Sequence, residues 1–101
     1  MNYRHLGNSG LLVSEIGFGS WLTLDGGDLD RATALHRTAY EAGINFFDTA
    51  NAYGAGGTEP VVGHALRPFP RETYVLATKV FWPYEPDWPF PTANDRGLSR
   101  K

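Results

Sequence analysis

Short, nearly all-apolar runs alternate with segments of helical periodicity along this chain, and this alternation restricts the fold more than any other feature. Residues 44–48 and 74–80 are two such runs, of the kind found in strands that are covered on both faces. Residues 15–20 form a third, which Gly17 and Gly19 interrupt. Strands that alternate with helices predict a parallel sheet with right-handed crossovers, which is an α/β fold.

Two helices are predicted between these strands. Leu29, Ala32, Leu35 and Ala39 follow helical spacing. Asp28 is a suitable N-cap for this first helix, and Gly43 is a suitable residue just beyond its end. We expect a second helix over residues 58–66, with Thr58 as its cap.

The remaining segments are predicted to be a hairpin and a loop. Extended pieces on either side of residues 7–10, which are Gly, Asn, Ser and Gly, predict an N-terminal β-hairpin. Residues 81–96 are rich in proline and aromatic residues and predict a loop, in which Trp82, Trp88 and Phe90 either wall an apolar pocket or pack within the loop. Residues 97–101 resemble the start of a helix capped by Ser99. No linker divides residues 1–101, so we expect a single domain.

Composition excludes several classes of protein. The 101 residues carry a net charge of −2 and contain no cysteine, which excludes a disulfide scaffold and a Cys-ligated metal site. No basic stripe predicts nucleic-acid binding, and no apolar run approaches the roughly 18 residues of a membrane span. The N-terminus has no apolar stretch typical of a signal peptide. We therefore expect a cytoplasmic protein.

Polar residues that could carry chemistry follow the apolar strands. Asp48 closes the second predicted strand, Tyr53 lies in the next loop, and Lys79 lies near the end of the third. The carboxyl ends of parallel strands meet at one edge of the sheet, where α/β proteins build their active sites. An ammonium group favours ionisation of a nearby phenol, and a carboxylate keeps that ammonium charged. Tyr53 would then be a general acid for a developing alkoxide; alternatively, Asp48 and Lys79 form a structural ion pair and Tyr53 is only a packed aromatic residue.

Other candidate motifs are weaker. Two glycine-rich segments, which begin at Gly17 and Gly54, fail the dinucleotide-binding pattern at its third glycine. The three histidines, His5, His36 and His64, lie on separate elements, so we expect solvated or core histidines and no metal site.

The sequence resembles the aldo-keto reductases. The segment from Asp48 to Gly54, which reads Asp-Thr-Ala-Asn-Ala-Tyr-Gly, carries the most specific part of the resemblance. Residues 3–11, 13–14, 17–21, 43–47 and 77–79, together with Glu59 and Gly63, extend it over nearly the whole chain. Trp82 and the ending at residues 97–101 resemble the branch that contains bacterial reductases and potassium-channel β subunits.

The resemblance implies the N-terminal part of a (β/α)₈ TIM barrel with a hairpin over its bottom, and NADPH-dependent reduction of a small carbonyl substrate. It implies that Tyr53 is the proton donor and that Asp48 and Lys79 tune its acidity. It also implies that Ser20, Trp21 and Asp48 lie beside the cofactor. Trp82 would line the substrate pocket. A complete barrel takes about 250 residues. We therefore expect a fragment that lacks the family's catalytic histidine and its main phosphate sites and is inactive alone.

Three interpretations remain open from the sequence. The parent protein is a carbonyl reductase, or it is a non-catalytic regulatory subunit that binds a nicotinamide cofactor, or the chain is a truncated product without activity. The oligomeric state and the physiological substrate are not predicted.

Overall fold

The computed structural model describes residues 1–24, 28–83 and 96–99. Its first unit is an antiparallel hairpin of β1 (Tyr3–His5) and β2 (Leu12–Ser14), with Val13 opposite Arg4. Gly7 in the connecting turn has a φ of +57°, which glycine adopts without steric cost. The predicted hairpin is confirmed.

The second unit is a three-stranded parallel sheet in the order β3 (Phe18–Gly19), β4 (Phe46–Asp48), β5 (Val75–Ala77). Helix α1 (Leu29–Glu41) connects β3 to β4, and α2 (Thr58–Leu66) connects β4 to β5. The α/β alternation predicted from the sequence is therefore confirmed. All three strands are shorter than the apolar runs that predicted them.

Both ends of α1 are as predicted. The Asp28 carboxylate accepts a hydrogen bond from the Arg31 amide at 2.9 Å, which satisfies one of the free amides of the first turn. At the other end, Gly43 has a φ of +91°, and its amide donates to Tyr40 O at 2.9 Å. This left-handed residue turns the chain from α1 toward β4.

The predicted cap of α2 is wrong. Thr58 is the first helical residue, Gly57 takes the N-cap position, and no side chain caps the helix. A 3₁₀ turn over Tyr53–Gly56 leads the chain directly into α2, and Thr58 is buried at its exit. A second 3₁₀ turn, Arg71–Thr73, precedes β5 and was not predicted.

The core lies between the sheet and the two helices. Phe47 is 1% exposed and packs on this side. His36 of α1 contacts it, with ring centroids 5.6 Å apart, and its Nδ1 lies 2.8 Å from Ala32 O. The other buried members of the cluster are Leu24, Ala32, Ala39, Val61, Val62, Ala65, Leu66 and Tyr74. His36 is thus a core histidine, which is one of the two environments, solvated or core, expected for the histidines.

The opposite face of the sheet carries Phe46 and Asp48, because successive residues of a strand point to opposite faces. Asn45, just before β4, fastens the hairpin to this sheet. Its Oδ1 accepts from the Ser14 amide at 2.7 Å, and its Nδ2 donates to Leu12 O at 3.0 Å. Tyr3 donates to Gly43 O at 2.8 Å and adds a second attachment.

Several predictions fall outside the described residues. They are those for Trp88, Phe90 and most of the proline-rich loop, and for the end of the last segment at Arg100 and Lys101. The capping role of Ser99 depends on these last residues and stays a prediction.

Candidate active site

Three predicted site residues meet at the carboxyl edge of the parallel sheet. Asp48 is the last residue of β4, Lys79 follows β5 by two residues, and Tyr53 begins the 3₁₀ turn after β4. Asp48 lies opposite Ala77 in the register of β4 and β5. Since side chains alternate along the chain, Lys79 projects on the same face as Ala77 and Asp48.

The Lys79 ammonium group makes four hydrogen bonds. Nζ lies 2.7 and 2.8 Å from the two carboxylate oxygens of Asp48, 2.9 Å from Thr49 O and 3.0 Å from the Tyr53 hydroxyl oxygen. A lysine carries three ammonium protons, so all of them are directed at these four acceptors and one is shared between two of them. The geometry places a fixed positive charge against the phenol oxygen.

The surroundings of Lys79 act on its pKa in opposite directions. Partial burial lowers the pKa, but the hydrogen bonds to Asp48 and Tyr53 and their charges raise it, and the net result is a raised pKa. The Asp48 carboxylate is the stronger of these two partners. Lys79 is therefore held as an ammonium group, and its half-exposed side chain (51%) limits the opposing effect of burial.

Tyr53 is flanked by an aromatic ring and by the cation. Trp21 stacks on it, with the ring centroids 6.0 Å apart and the planes 14° from parallel. Lys79 Nζ lies 4.8 Å from the centre of the Tyr53 ring, within the range of a cation–π contact. These contacts fix the ring so that its hydroxyl group faces the ammonium.

A groove of about 540 Å³ opens beside these residues. Trp21 and Tyr53 form one side, and Phe81 and Trp82 belong to the segment after β5. Lys79 supplies a polar group within an otherwise largely apolar lining. Ligand sites are typically concave, apolar and of about this size, with a few convergent polar groups. The structure thus brings Trp21 and Trp82, both predicted site residues, to the same groove as Tyr53 and Lys79.

Ser20 lies next to this groove but is only 1% exposed. Its amide and its hydroxyl both donate to Asp48 O, at 3.0 and 2.9 Å. These bonds fasten the end of β3 to the end of β4 and hold the neighbouring Trp21 beside Tyr53. The role of Ser20 and Trp21 at a cofactor stays a prediction.

Sequence reasoning missed two polar contacts at this edge. Asn51 donates from Nδ2 to Trp82 O at 3.0 Å, and the Thr78 hydroxyl donates to Glu59 Oε1, which ties β5 to the first turn of α2. The only signal was the position of Asn51 between Asp48 and Tyr53. An asparagine in a loop is common, so that signal is weak.

No group of three or more His, Cys, Asp or Glu that could hold a metal ion occurs within residues 1–24, 28–83 and 96–99. In the same part of the chain, no helix combines the length and apolar character needed to cross a membrane.

Comparison with known proteins decides the family. The sequence model of the Aldo/keto reductase family matches residues 15–98, which include Asp48, Tyr53 and Lys79. The chain belongs to this family.

Curated relatives in plants match the whole of this aldo-keto reductase chain. The chain is 42% identical to a protein from Oryza sativa, subspecies japonica, which is named a probable voltage-gated potassium channel subunit beta. It is 41% identical to a protein of the same name from Arabidopsis thaliana. The matches cover 100% of the chain but only 30% of each relative. The chain thus spans about a third of the length of these relatives.

Solved structures of aldo-keto reductases share its fold. An aldo-keto reductase from Bacillus halodurans, in its holo form, is 44% identical with a TM-score of 0.76, over 84% of this chain and 28% of that one. A thermostable aldo-keto reductase, Tm1743, in complex with the inhibitor epalrestat, is 34% identical with a TM-score of 0.72, over 82% of this chain and 32% of that one. The open sheets described above therefore correspond to part of the family's TIM barrel, and the predicted incomplete barrel is confirmed.

Proposed function

We propose that a protein containing these residues reduces aldehydes or ketones to alcohols with NADPH, and that Tyr53 donates the proton. One observation carries the proposal. The Lys79 ammonium group bonds at the same time to the Tyr53 hydroxyl oxygen, at 3.0 Å, and to the Asp48 carboxylate. A positive charge next to the phenol oxygen favours release of the phenol proton, as a general acid requires.

The groove has a suitable shape for the nicotinamide end of a cofactor and a small carbonyl compound. Its aromatic sides, formed by Trp21 and Trp82, offer flat surfaces, and its volume falls within the range of small-molecule sites. Trp21 and Asp48 would hold the cofactor there, and Ser20, which is buried, would support them through its bonds to Asp48 O. When bound, the cofactor supplies a hydride to the carbonyl carbon. The preference for NADPH over NADH rests on the family resemblance alone.

The protein's own residues handle the proton. As the carbonyl oxygen gains negative charge, the Tyr53 hydroxyl proton passes to it and the product is the alcohol. Lys79 stabilises the resulting phenolate, and Asp48 keeps Lys79 charged and in place. Trp21 and Trp82 line the groove in which this transfer takes place.

A second candidate is a regulatory subunit that binds the cofactor without turning over a substrate. It is favoured by the names of the plant relatives, which are 42% and 41% identical to this chain. The presence of Asp48, Tyr53 and Lys79 does not distinguish the two functions, because a cofactor sensor could retain all three. Measured turnover of a carbonyl substrate distinguishes the reductase from the regulatory subunit.

The test is a hybrid enzyme in which this chain replaces the matching part of the Bacillus halodurans aldo-keto reductase. We expect the hybrid to consume NADPH with a simple aldehyde, and Tyr53→Phe to reduce kcat at least ~100-fold, in line with the loss of a general acid. Tyr40→Phe is the matched control, because the Tyr40 hydroxyl bonds to Thr73 away from the groove. Equal turnover in the Tyr53→Phe hybrid would contradict the proposed proton donor.

The 101-residue chain by itself is a further test. Asp48 and Lys79 are 36% and 51% exposed in it, so water competes with any substrate for their charges. We expect no measurable carbonyl reduction and no micromolar NADPH affinity from the chain alone. Fluorescence titration with NADPH measures the affinity directly.

A further inference from the structure

We propose that Asn51 is a positioning residue that fixes Trp82 as a wall of the groove it lines together with Trp21 and Tyr53. The importance of this wall for substrate rests on the function proposed above. The positioning itself rests on the hydrogen bonds between the two segments that leave β4 and β5.

The backbone ladder between these segments continues past the strands. The Thr49 amide donates to Ala77 O at 2.9 Å, and the Asn51 amide donates to Lys79 O at 3.2 Å. Alternate residues of one segment thus continue to bond to alternate residues of the other, as in a parallel sheet. Lys79 is held by this extension of the ladder.

The ladder cannot continue by backbone groups beyond Asn51. The Tyr53 amide turns back to Ala50 O at 3.2 Å, and Phe81 O accepts from the Gly97 amide at 2.8 Å. The Asn51 side chain makes the next connection, since its Nδ2 donates to Trp82 O at 3.0 Å. Asn51 therefore binds both ends of the short segment that runs from Lys79 to Trp82.

Among residues 1–24, 28–83 and 96–99, Trp82 has few other contacts that set its position. The residue is 59% exposed, and its ring lies at 79° to that of Phe81, with the ring centroids 5.0 Å apart. Arg96 lies over the ring at 5.9 Å. An exposed indole is stabilised little by burial. The hydrogen bond at the backbone carbonyl group of Trp82 therefore has a large influence on where the side chain lies.

The side-chain chemistry required at position 51 is specific. The amide of asparagine has two donor hydrogens, whereas the ionised carboxylate of aspartate, which has the same shape, has none. Asn51→Asp thus removes the donor without changing the size of the side chain. Asn51→Gln keeps the donor on a chain that is one methylene longer.

The test uses the full 101-residue chain labelled with 5-fluorotryptophan and followed by ¹⁹F NMR. Trp82→Phe and Trp21→Phe assign the two resonances of interest. We expect Asn51→Asp to move the Trp82 resonance toward that of free 5-fluorotryptophan, with the held position about fivefold less populated, as for the loss of one hydrogen bond. The Trp21 resonance should not move, and Asn51→Gln should restore part of the Trp82 shift. Asn8→Asp, which adds the same charge in the exposed hairpin turn, is the control.

Three results would overturn the proposal. They are a Trp82 resonance that is unchanged in Asn51→Asp, equal movement of the Trp21 and Trp82 resonances, and a Trp82 resonance in the unmodified chain that already coincides with free 5-fluorotryptophan. Tyr53→Phe separates this proposal from the proposed function. It removes the proton donor but should leave the effect of Asn51→Asp on Trp82 intact.

Discussion

The Lys79 ammonium nitrogen lies 3.0 Å from the hydroxyl oxygen of Tyr53, although the two residues are 26 positions apart in the sequence. They meet because β4 and β5 are adjacent and parallel, so the chain leaves both strands at the same edge of the sheet. The pairing of Asp48 with Ala77 sets the distance between the two segments. The contact is therefore a direct result of the strand register.

Removing the Asp48 carboxylate should lower the pKa of Lys79. In Asp48→Asn, burial still lowers that pKa, whereas the strongest raising influence is lost. Measurement of the Lys79 side-chain ¹³Cε shift against pH gives the direction of change. Asp30→Asn, in the first turn of α1, should leave the Lys79 titration unchanged. An unaltered Lys79 pKa in Asp48→Asn would show that the ion pair does not hold the charge.

Gly54→Ala should destabilise the chain by about 1 to 2 kcal/mol, the cost of a left-handed conformation for a residue with a Cβ atom. Gly54 has a φ of +56°, and a Cβ added there would lie 2.7 Å from Thr58 Oγ1. Gly63→Ala is the matched control, because a Cβ at that position in α2 has nothing within 4 Å. We expect it to stabilise the chain by about 0.5 to 1 kcal/mol. Urea unfolding of the two variants measures both effects, and equal effects would contradict the assigned turn.

The sequence predicts the elements better than the connections between them. Asp28 and Gly43 have local signatures that mark the ends of α1, and both predictions are correct. Thr58 has an equally good local signature as a cap, but the tertiary structure places it inside the helix, buried behind the Tyr53–Gly56 turn. In that turn Ala55 has a φ of +49°, a conformation that nothing in an alanine side chain favours.

In the site, too, residues at the ends of strands were easier to predict than contacts between loops. Asp48 and Lys79 could be placed at one edge because strand alternation is regular. The stacking of Trp21 on Tyr53 and the bond from Asn51 to Trp82 arise between loops, whose conformations depend on neighbours that are distant in sequence. No periodicity predicts contacts of that kind.

Stability should depend on pH through His36. Burial lowers its pKa and outweighs the hydrogen bond to Ala32 O, which raises it. The unfolded chain therefore binds more protons than the folded one below the ordinary histidine pKa of about 6.5. The free energy of unfolding should fall as the pH falls from about 6.5 toward the lowered pKa, by at most about 1.4 kcal/mol per pH unit.

Urea unfolding at a series of pH values measures this dependence. His36→Gln should flatten it over that window, although the variant will be less stable at every pH because the ring contacts with Phe18 and Phe47 are lost. His64→Gln, on the exposed side of α2, is the control. A slope that His36→Gln leaves unchanged would assign the effect to other groups.

Asn45→Ala should release the hairpin from the sheet. It removes the acceptor for the Ser14 amide and the donor to the exposed Leu12 O. The buried Ser14 amide left without a partner costs about 1 to 3 kcal/mol. Amide hydrogen exchange at Ser14 should accelerate. Asn45→Asp keeps the acceptor and loses only the donor, so Ser14 should remain protected; rapid exchange in both variants would contradict the assigned bonds.

Phe47 and Asp48 are consecutive residues that point to opposite faces of β4. A slip of β4 by one residue against its neighbours would exchange the two faces. It would place a carboxylate among the apolar side chains under the helices and a phenylalanine beside Lys79. A misaligned sheet would therefore lose its core and its charged site in the same event. The two cannot be assembled separately, so any chain that folds with Phe47 in the core already has Asp48 in position to receive Lys79.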